Sequence, residues 1–315
     1  MNNNKDLIEG ILDLKRQKQA TILAHYYQIP EIQDLADFIG DSLALSQKAK
    51  NVDSPLIVFC GVHFMAETAK ILNPGKKVIV PDLEAGCSLA DSCPPDRFAE
   101  FLQQYPDHKV ITYINSTARI KAMSDIICTS GNAVQIVESL PKNEKIIFAP
   151  DRNLGAYINQ MTGRNMVLWD GVCQVHDLLT AESILKLKME NPDALLVAHP
   201  ECNRAVLEVA DYIGSTNGMI KFVHQAKAHK FIVASETGIV HQMKKLAPEK
   251  DFLVAPANET CSCNDCPYMK MNTLEKLSKA LLTESPEVVV DEELAHRALK
   301  PIEKMLEISR KAGLI

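Results

Sequence analysis

Three cysteines lie within six residues of one another near the end of the chain, at Cys261, Cys263 and Cys266. Cysteine thiolates bind zinc or iron–sulfur clusters, and a close pair of cysteines can exchange electrons. Two earlier cysteines, Cys87 and Cys173, occupy positions in the chain that match Cys266. The sequence therefore indicates a thiolate centre assembled from three separated segments, with Cys266 as one member.

The match between these cysteines rests on a repeated spacing. In three places, a residue at the end of a predicted strand is followed 17 residues later by a hydroxyl residue. A cysteine follows the hydroxyl residue after a further 45, 43 and 50 residues. The three sets are His25, Ser42 and Cys87; Tyr113, Ser130 and Cys173; and His199, Thr216 and Cys266. A period of this length excludes a solenoid and indicates three tandem units of roughly 85–90 residues.

One cysteine from each unit would give a set of three thiolates on one side of a metal centre. Zinc bound by three thiolates keeps an open fourth position. A [4Fe–4S] cluster normally takes four cysteines, so a cluster with three leaves one iron exchangeable and able to act as a Lewis acid. Buried cysteine is also a small apolar residue, and a core role for Cys87 and Cys173 is the alternative.

The remaining cysteines are not repeated between the units. Two of them, Cys60 and Cys128, follow apolar runs and are predicted core residues, whereas Cys93 and Cys202 have no counterpart. Cys261 and Cys263 could share a separate zinc with Cys266, but no fourth ligand is near them in sequence. A disulfide between Cys263 and Cys266, which would remove a cluster ligand, is a further alternative.

Polar residues follow the predicted first strand of each unit in pairs two positions apart. The pairs are His25 and Tyr27, Tyr113 and Asn115, and His199 and Glu201. Because residues i and i+2 of a strand share a face, each pair is expected to point the same way and to supply acids, bases and hydrogen-bond donors. His63 and His176 are weaker candidates for the same site.

Hydroxyl residues lie where helices are predicted to begin, at Ser42, Ser130, Ser215 and Thr216. The free N–H groups and the dipole of a helix N-terminus favour a carboxylate or a phosphate there. Serine and threonine also cap helices, and plain capping is the alternative role.

Strands that alternate with helices predict an α/β fold with parallel sheets. The predicted architecture is three pseudo-symmetric α/β/α sandwich units around a pseudo-threefold axis, at residues 1–106, 107–191 and 192–315. Ligands of such sheets bind outside the carboxyl ends of the strands, so the candidate residues should converge on one site. Helices are also predicted over 31–39 and, as an extra helix that folds back on the first unit, over 292–309.

Composition describes an ordinary globular protein, with 46% hydrophobic and 23% charged residues and a net charge of −6. No basic run is present, which argues against a nucleic-acid partner. No apolar run reaches the roughly 18 residues of a membrane span, and no signal-peptide core is present. We expect a cytoplasmic protein, in which nine cysteines serve metal binding or catalysis rather than disulfides.

Seven motifs spread over nearly the whole chain resemble those of the quinolinate synthase family. They begin at His25-Tyr-Tyr-Gln, Gly40-Asp-Ser-Leu, Phe59-Cys-Gly-Val-His, Pro150-Asp-Arg-Asn-Leu-Gly, Trp169-Asp-Gly-Val-Cys, His199-Pro-Glu-Cys and Cys263-Asn-Asp-Cys-Pro. The resemblance implies three α/β units around a [4Fe–4S] cluster with three cysteine ligands and one open iron. It implies condensation of iminoaspartate with dihydroxyacetone phosphate to quinolinate in NAD biosynthesis, with release of phosphate and two waters. Coupling to an L-aspartate oxidase, which makes the imine, is a further expectation.

By this resemblance each candidate residue acquires a role. The cluster ligands would be Cys87, Cys173 and Cys266. The substrate-binding residues would be His25, Ser42, Tyr113, Asn115, Ser130, His199, Glu201, Ser215 and Thr216. The catalytic residues would be Tyr27, Glu201, His199 and Tyr113, with Tyr27 and Glu201 serving proton transfers.

One segment departs from the pattern of the family. Many bacterial members read C-x-x-C-x-x-C-P, whereas Cys261-Ser-Cys263-Asn-Asp-Cys266-Pro shortens the first gap. The last cysteine and the proline keep their places, so the ligand assignment of Cys266 is unaffected. Two other functions remain as alternatives: a [4Fe–4S] hydro-lyase acting on a small dicarboxylate, and a non-catalytic iron–sulfur sensor.

Overall fold

The computed structural model describes residues 2–257 and 264–315. Their strands form three four-stranded parallel sheets, and we call the part of the chain that carries each sheet a unit. The first sheet has β1 (Ala20–His25), β2 (Phe38–Gly40), β3 (Leu56–Cys60) and β4 (Lys77–Ile79). The second has β5 (Lys109–Tyr113), β6 (Ile126–Cys128), β7 (Ile146–Ala149) and β8 (Val167–Leu168). The third has β9 (Leu195–Ala198), β10 (Tyr212–Ile213), β11 (Lys230–Ala234) and β12 (Asp251–Val254).

Every sheet has the same order: second, first, third and fourth strand of its unit. The first six helices are α1 (Asn2–Gln17), α2 (Pro30–Leu35), α3 (Ser42–Lys50), α4 (His63–Leu72), α5 (Ser88–Asp91) and α6 (Pro95–Gln103). The next five are α7 (Ala118–Lys121), α8 (Ala133–Glu138), α9 (Arg152–Thr162), α10 (Gln174–Asp177) and α11 (Ala181–Glu190). The last six are α12 (Arg204–Glu208), α13 (Thr216–Gln225), α14 (Ile239–Leu246), α15 (Pro267–Lys270), α16 (Leu274–Thr283) and α17 (Glu292–Lys311). The predicted fold class, three α/β units with parallel sheets, is confirmed.

The strands are almost wholly apolar because helices cover both faces of the sheets. All five residues of β3 are buried. On one face of the first sheet, Ile22 and Val58 pack with Ile11 of α1 and Leu277 of α16. Alternate residues of the same strands face a second cluster, which the first and second sheets share. Helices α1 and α16, which are far apart in the sequence, therefore cover this face of the first sheet together.

An aspartate joins the first two strands at the same place in every unit. The backbone N–H groups of Ile22, Val110 and Leu196 donate to Asp37, Asp125 and Asp211, at 2.8, 2.8 and 2.7 Å. Each aspartate lies 15 residues after its donor and also pairs with a lysine: Lys15, Lys109 or Lys188. A carboxylate therefore holds each short second strand in place beside the first strand.

The helix predicted over 31–39 is wrong in its second half. Helix α2 ends at Leu35, and residues 38–40 form the strand β2 beside β1, with Leu23 opposite Phe38. The side chain of Asp37 accepts the N–H of Ile22 at 2.8 Å, and this bond favours an extended chain at the point where the helix would continue. Pairing with a neighbouring strand overrides the helical preference of the segment.

The predicted C-terminal helix is present as α17, but its expected packing on the first unit is wrong for most of its length. It lies mainly against β6, α7 and α8 of the second unit and reaches the first unit at α4. Ile302 and Met305 are buried in the cluster that contains Ile126 and Ile136. The apolar stripe of α17 therefore covers the edge of the second sheet.

The four non-repeated cysteines of the described chain are buried, as predicted for Cys60 and Cys128; the other two are Cys93 and Cys202. Cys261 and Cys263 lie outside the described residues. No helix among the described residues has both the length and the apolar character that crossing a membrane requires.

Candidate active site

A cavity with about 630 Å³ of empty space lies where the three units meet. Its lining includes every predicted site residue except Ser215: His25, Tyr27, Ser42, Cys87, Tyr113, Asn115, Ser130, Cys173, His199, Glu201, Thr216 and Cys266. These residues follow strands, and the carboxyl ends of parallel strands share one edge of a sheet. The three edges therefore open into a single chamber.

The hydroxyl residues reach the cavity because their neighbours cap the helices. Asp41 caps α3 by accepting the N–H of Ala44, and Ser215 caps α13 by accepting the N–H of Gly218. Ser42 and Thr216 are the first helical residues, so their hydroxyls line the cavity instead. The capping alternative therefore holds for Ser215, while Ser130 lies in a turn before α8.

Each of the three repeated cysteines occupies the same local structure. Cys87, Cys173 and Cys266 each stand at the N-cap of a four-residue helix, namely α5, α10 and α15. All three are half-buried and line the same cavity. Three cysteines that are far apart in the sequence thus line one chamber, each in the same local structure.

Burial dominates the titration of these thiols. It raises the pKa of Cys87 to about 12 and that of Cys266 to about 11, and each also feels the carboxylates nearby. Burial raises the pKa of Cys173 well above the usual value, and Glu201 adds to the effect. Three thiolates in so dry a place would repel one another, so a bound metal group with positive charge is what would stabilise them.

Two histidines are fixed by turns at the ends of first strands. The N–H of Tyr27 donates to Nδ1 of His25 at 3.2 Å, and the N–H of Glu201 donates to Nδ1 of His199 at 3.4 Å. Strands β1 and β9 end at His25 and Ala198, so these pairs converge through a turn and not through the strand pleat. Both members of each pair line the cavity, as expected, but the predicted reason, a shared face of the strand, is wrong.

Both of these histidines are neutral hydrogen-bond donors. Burial is the main reason that the pKa of His25 falls to about 3, with His199 and Lys270 contributing. Burial also lowers the pKa of His199 to about 3, against the opposing charge of Glu201. Because Nδ1 accepts a backbone N–H in each ring, the proton lies on Nε2, and that of His199 faces Ser130 at 3.2 Å.

Glu201 is an ionised carboxylate in the wall of the cavity. Burial by itself would raise its pKa, but the hydrogen bonds from His176 and Tyr113 stabilise the carboxylate and lower its pKa. Nδ1 of His176 lies 3.0 Å from Oε2 of Glu201, and the hydroxyl of Tyr113 donates to Oε1. The carboxylate is therefore held on both oxygens.

A continuous chain of hydrogen bonds connects the two tyrosines of the cavity. The hydroxyl of Tyr27 lies 2.9 Å from Oγ of Ser235, which lies 3.2 Å from Nε2 of His176. The other nitrogen of His176 contacts Glu201, which accepts from Tyr113. Burial raises the pKa of both tyrosines well above the usual value, so both enter the chain as neutral hydroxyls.

A profile described as "Quinolinate synthetase A protein" matches residues 9–307 of the chain. The chain belongs to the quinolinate synthase family. It is therefore an enzyme of NAD biosynthesis, and the family predicted from the sequence motifs is confirmed.

Three relatives named "Quinolinate synthase" are more than half identical to the chain. The protein of Trichodesmium erythraeum (strain IMS101) is 57% identical over 304 residues, which cover 96% of this chain and 94% of the relative. That of Synechocystis sp. is 58% identical over 305 residues, 97% of this chain and 96% of the relative. That of Microcystis aeruginosa (strain NIES-843 / IAM M-2473) is 58% identical over 304 residues, which cover 96% of this chain and 95% of the relative.

Several residues of the cavity were missed or given little weight from the sequence. Asp41, Thr129 and Glu236 line the cavity, and His176 is central to the hydrogen-bond chain. Glu236 follows β11, a third strand, and comparing the ends of third strands as well as first strands would have found it. His63, the other weak candidate, begins α4 and lines a separate pocket beside Cys87.

The cavity also contains a group of side chains that could bind a metal. The ligand atoms of Cys173, His176 and Glu201 all lie within 4.8 Å of one another. Nδ1 of His176 is 3.3 Å from the sulfur of Cys173. Metal binding is therefore compatible with the chemistry of this cavity, and Cys173 belongs both to this group and to the repeated cysteines.

Proposed function

We propose that the chain condenses iminoaspartate with dihydroxyacetone phosphate to form quinolinate, with release of phosphate and two waters. The observation that carries this proposal is the convergence of three repeated cysteines on one cavity, which is also lined with neutral donors and with the held carboxylate of Glu201. Family membership supports the reaction, and the geometry supports the place where it occurs.

The proposed cofactor is a [4Fe–4S] cluster bound by Cys87, Cys173 and Cys266. The donor set fits such a group, since three sulfur atoms in equivalent positions share one chamber and no fourth cysteine of the described chain lines it. When bound, the cluster would leave one iron without a protein ligand, and an open iron supplies a Lewis acid for departure of an oxygen as water.

The substrates carry carboxylates and a phosphate, yet no lysine or arginine is among the described residues that line the cavity. Neutral N–H and O–H groups must therefore bind the anionic groups. Nε2 of His25 and of His199, with the hydroxyls of Ser42 and Thr216, supply such donors at the proposed positions. Asn115 has a buried Oδ1 without a partner, which suits a hydroxyl or an N–H of a ligand.

The hydrogen-bond chain suits the proton movements of an imine condensation. Glu201 is ionised and therefore able to accept a proton, while Tyr113 and Tyr27 are neutral and able to donate one. Ser235 and His176 connect these groups without water. We assign proton transfer to Glu201 and Tyr27, with His176 as the relay between them.

Oxidation of the amine of aspartate yields this unstable imine substrate. Functional coupling to an L-aspartate oxidase is therefore part of the proposal. Addition of such an oxidase with aspartate should replace chemically prepared iminoaspartate in the assay.

Anaerobic purification, iron and sulfide analysis and a quinolinate assay with both substrates test the proposal. We expect about four irons and four sulfides per chain, the number that defines the cluster. Single Cys→Ser changes at the three ligand positions should abolish the cluster. Glu201→Gln and Tyr27→Phe should keep the cluster and lose turnover, whereas a sensor would keep its function with both changes. A colourless zinc protein without quinolinate formation would refute the proposal.

A further inference from the structure

A buried ion pair lies beside the third repeated cysteine. Nζ of Lys270 is 2.7 Å from Oε1 of Glu236, and the Glu236 side chain has no exposed surface while that of Lys270 is 24% exposed. Glu236 follows β11 and lines the cavity. Lys270 is the last residue of α15, whose N-cap is Cys266. Neither residue belongs to the proposed binding or proton-transfer groups.

Glu236 accepts hydrogen bonds from two separate backbone N–H groups. Its Oε1 accepts the N–H of Cys266 at 3.2 Å, and its Oε2 accepts the N–H of Gly238 at 2.7 Å. Burial raises the pKa of Glu236, and the charge of Lys270 opposes that effect. The carboxylate thus fixes the main chain at the cysteine itself.

Lys270 extends this arrangement to the first unit. Its Nζ donates to the backbone carbonyl of Tyr27 at 2.8 Å, and Asp265 lies 3.8 Å away on the exposed side. The two units are in close contact here, since a Cβ on Gly238 would lie 2.8 Å from the carbonyl oxygen of Tyr26. One ion pair therefore contacts both the N-cap residue of α15 and the turn that carries Tyr27.

We propose that the Glu236–Lys270 pair is a positioning pair, which sets Cys266 relative to Tyr27 and balances the charge next to the third thiolate. The inference rests on the cluster of the proposed function. Buried charges close to a cluster shift its reduction potential, because the reduced cluster is more negative than the oxidised one. A loss of packing alone would not give shifts whose sign follows the charge that is removed.

The test measures the midpoint potential of the cluster in charge-removing variants under anaerobic conditions. Glu236→Gln should raise the potential, Lys270→Met should lower it, and the double variant should return toward the parent. Lys270→Arg keeps the charge and should stay near the parent value. Lys245→Met is the matched control, because Lys245 pairs with Asp34 at 2.8 Å on the surface and both side chains are about half exposed.

Turnover and backbone exchange supply independent measurements. A shift of Tyr27 by about 1 Å would cost on the order of 100-fold in rate, so kcat should fall in Lys270→Met and recover in Lys270→Arg. Amide hydrogen exchange of residues 266–270, measured without the cluster, should speed up in Lys270→Met and not in Lys270→Arg. The exchange rates of Lys270→Met and Lys270→Arg can be compared even if Glu236→Gln does not fold.

The outcomes separate this inference from the proposed function. Suppose that the parent enzyme forms quinolinate and that the two single variants shift the potential in the same direction or leave it unchanged. That result would overturn the positioning role of the pair and leave the proposed function intact. A parent without a cluster would overturn both. Opposite shifts, with recovery in the double variant, would support the pair.

Discussion

His25 and His199 make the stability of the cluster-free protein dependent on pH. Both rings are buried, and the pKa of each is lowered from 6.5 to about 3. Between pH 6.5 and 3 the unfolded chain binds protons on these rings that the folded chain does not bind. Stability contributed by the two neutral rings is therefore complete above pH 6.5 and is lost as the pH falls toward 3.

The size of the effect follows from the two pKa values. At pH 5 an unfolded histidine with a pKa of 6.5 gains about 2 kcal/mol from protonation, while the folded ring gains almost nothing. For the two rings together, the free energy of unfolding should fall by about 4 kcal/mol between pH 8 and pH 5. This is a large share of a typical unfolding free energy of about 5–15 kcal/mol.

Asparagine is the matched substitution for these rings. Its side-chain oxygen accepts the N–H of the residue two positions later, as Nδ1 of each histidine does, and it does not titrate. Denaturant unfolding of cluster-free His25→Asn and His199→Asn, at pH 8 and at pH 5, should show a loss smaller by about 2 kcal/mol than that of the parent. His296→Asn, at an exposed position of α17, is the control and should behave as the parent does.

Only the change between the two pH values is compared, so a general loss of stability in a variant does not affect the result. The groups that face His25 are His199, Glu201 and Lys270, and all three stay in place in His25→Asn. An equal loss of stability in the parent and in both variants would refute the reasoning, because it would mean that the folded rings take up protons freely.

Two further changes test the packing of the described chain. Gly238→Ala should cost about 1–3 kcal/mol in denaturant unfolding, because a Cβ would lie 2.8 Å from backbone atoms of Tyr26 and Tyr27; Gly75→Ala, where nothing lies within 4 Å, is its control. Burial lowers the pKa of Lys121 to about 8, so the cluster-free parent should gain about 2 kcal/mol over Lys121→Met between pH 7.5 and 9.5. The absence of that gain would show that the buried amine stays charged.

The repeat made most of the fold predictable. The first strand, the hydroxyl residue and the cysteine recur at near-equal spacing, and each of these features depends on local sequence. The second strands, such as β6 and β10, have two or three residues, too few to show a periodicity, and they form because a neighbour is present. The unit boundaries at 106/107 and 191/192 stay a prediction.

The candidate site was predictable where residues follow first strands. It was less so after third strands, where Ser235 and Glu236 stand, because the residues that follow the third strands of the other two units, such as Gly61 and Pro150, are of different types. His176 lies three residues after Cys173 and was a candidate for that reason, but its contacts with Ser235 and Glu201 come from tertiary packing, which no local pattern encodes. The roles of the predicted residues stay predictions.

The three repeated aspartates, Asp37, Asp125 and Asp211, bear on the origin of the chain. Each holds a backbone N–H three residues before His25, Tyr113 or His199, so it builds the unit without lining the cavity. Identical framework residues in three copies are what two duplications of one ancestral segment leave behind. Three identical chains around a threefold axis would offer a ligand three identical faces. In a single chain each strand end can differ while the three aspartates are the same, so a threefold framework can present three unlike faces to an asymmetric ligand.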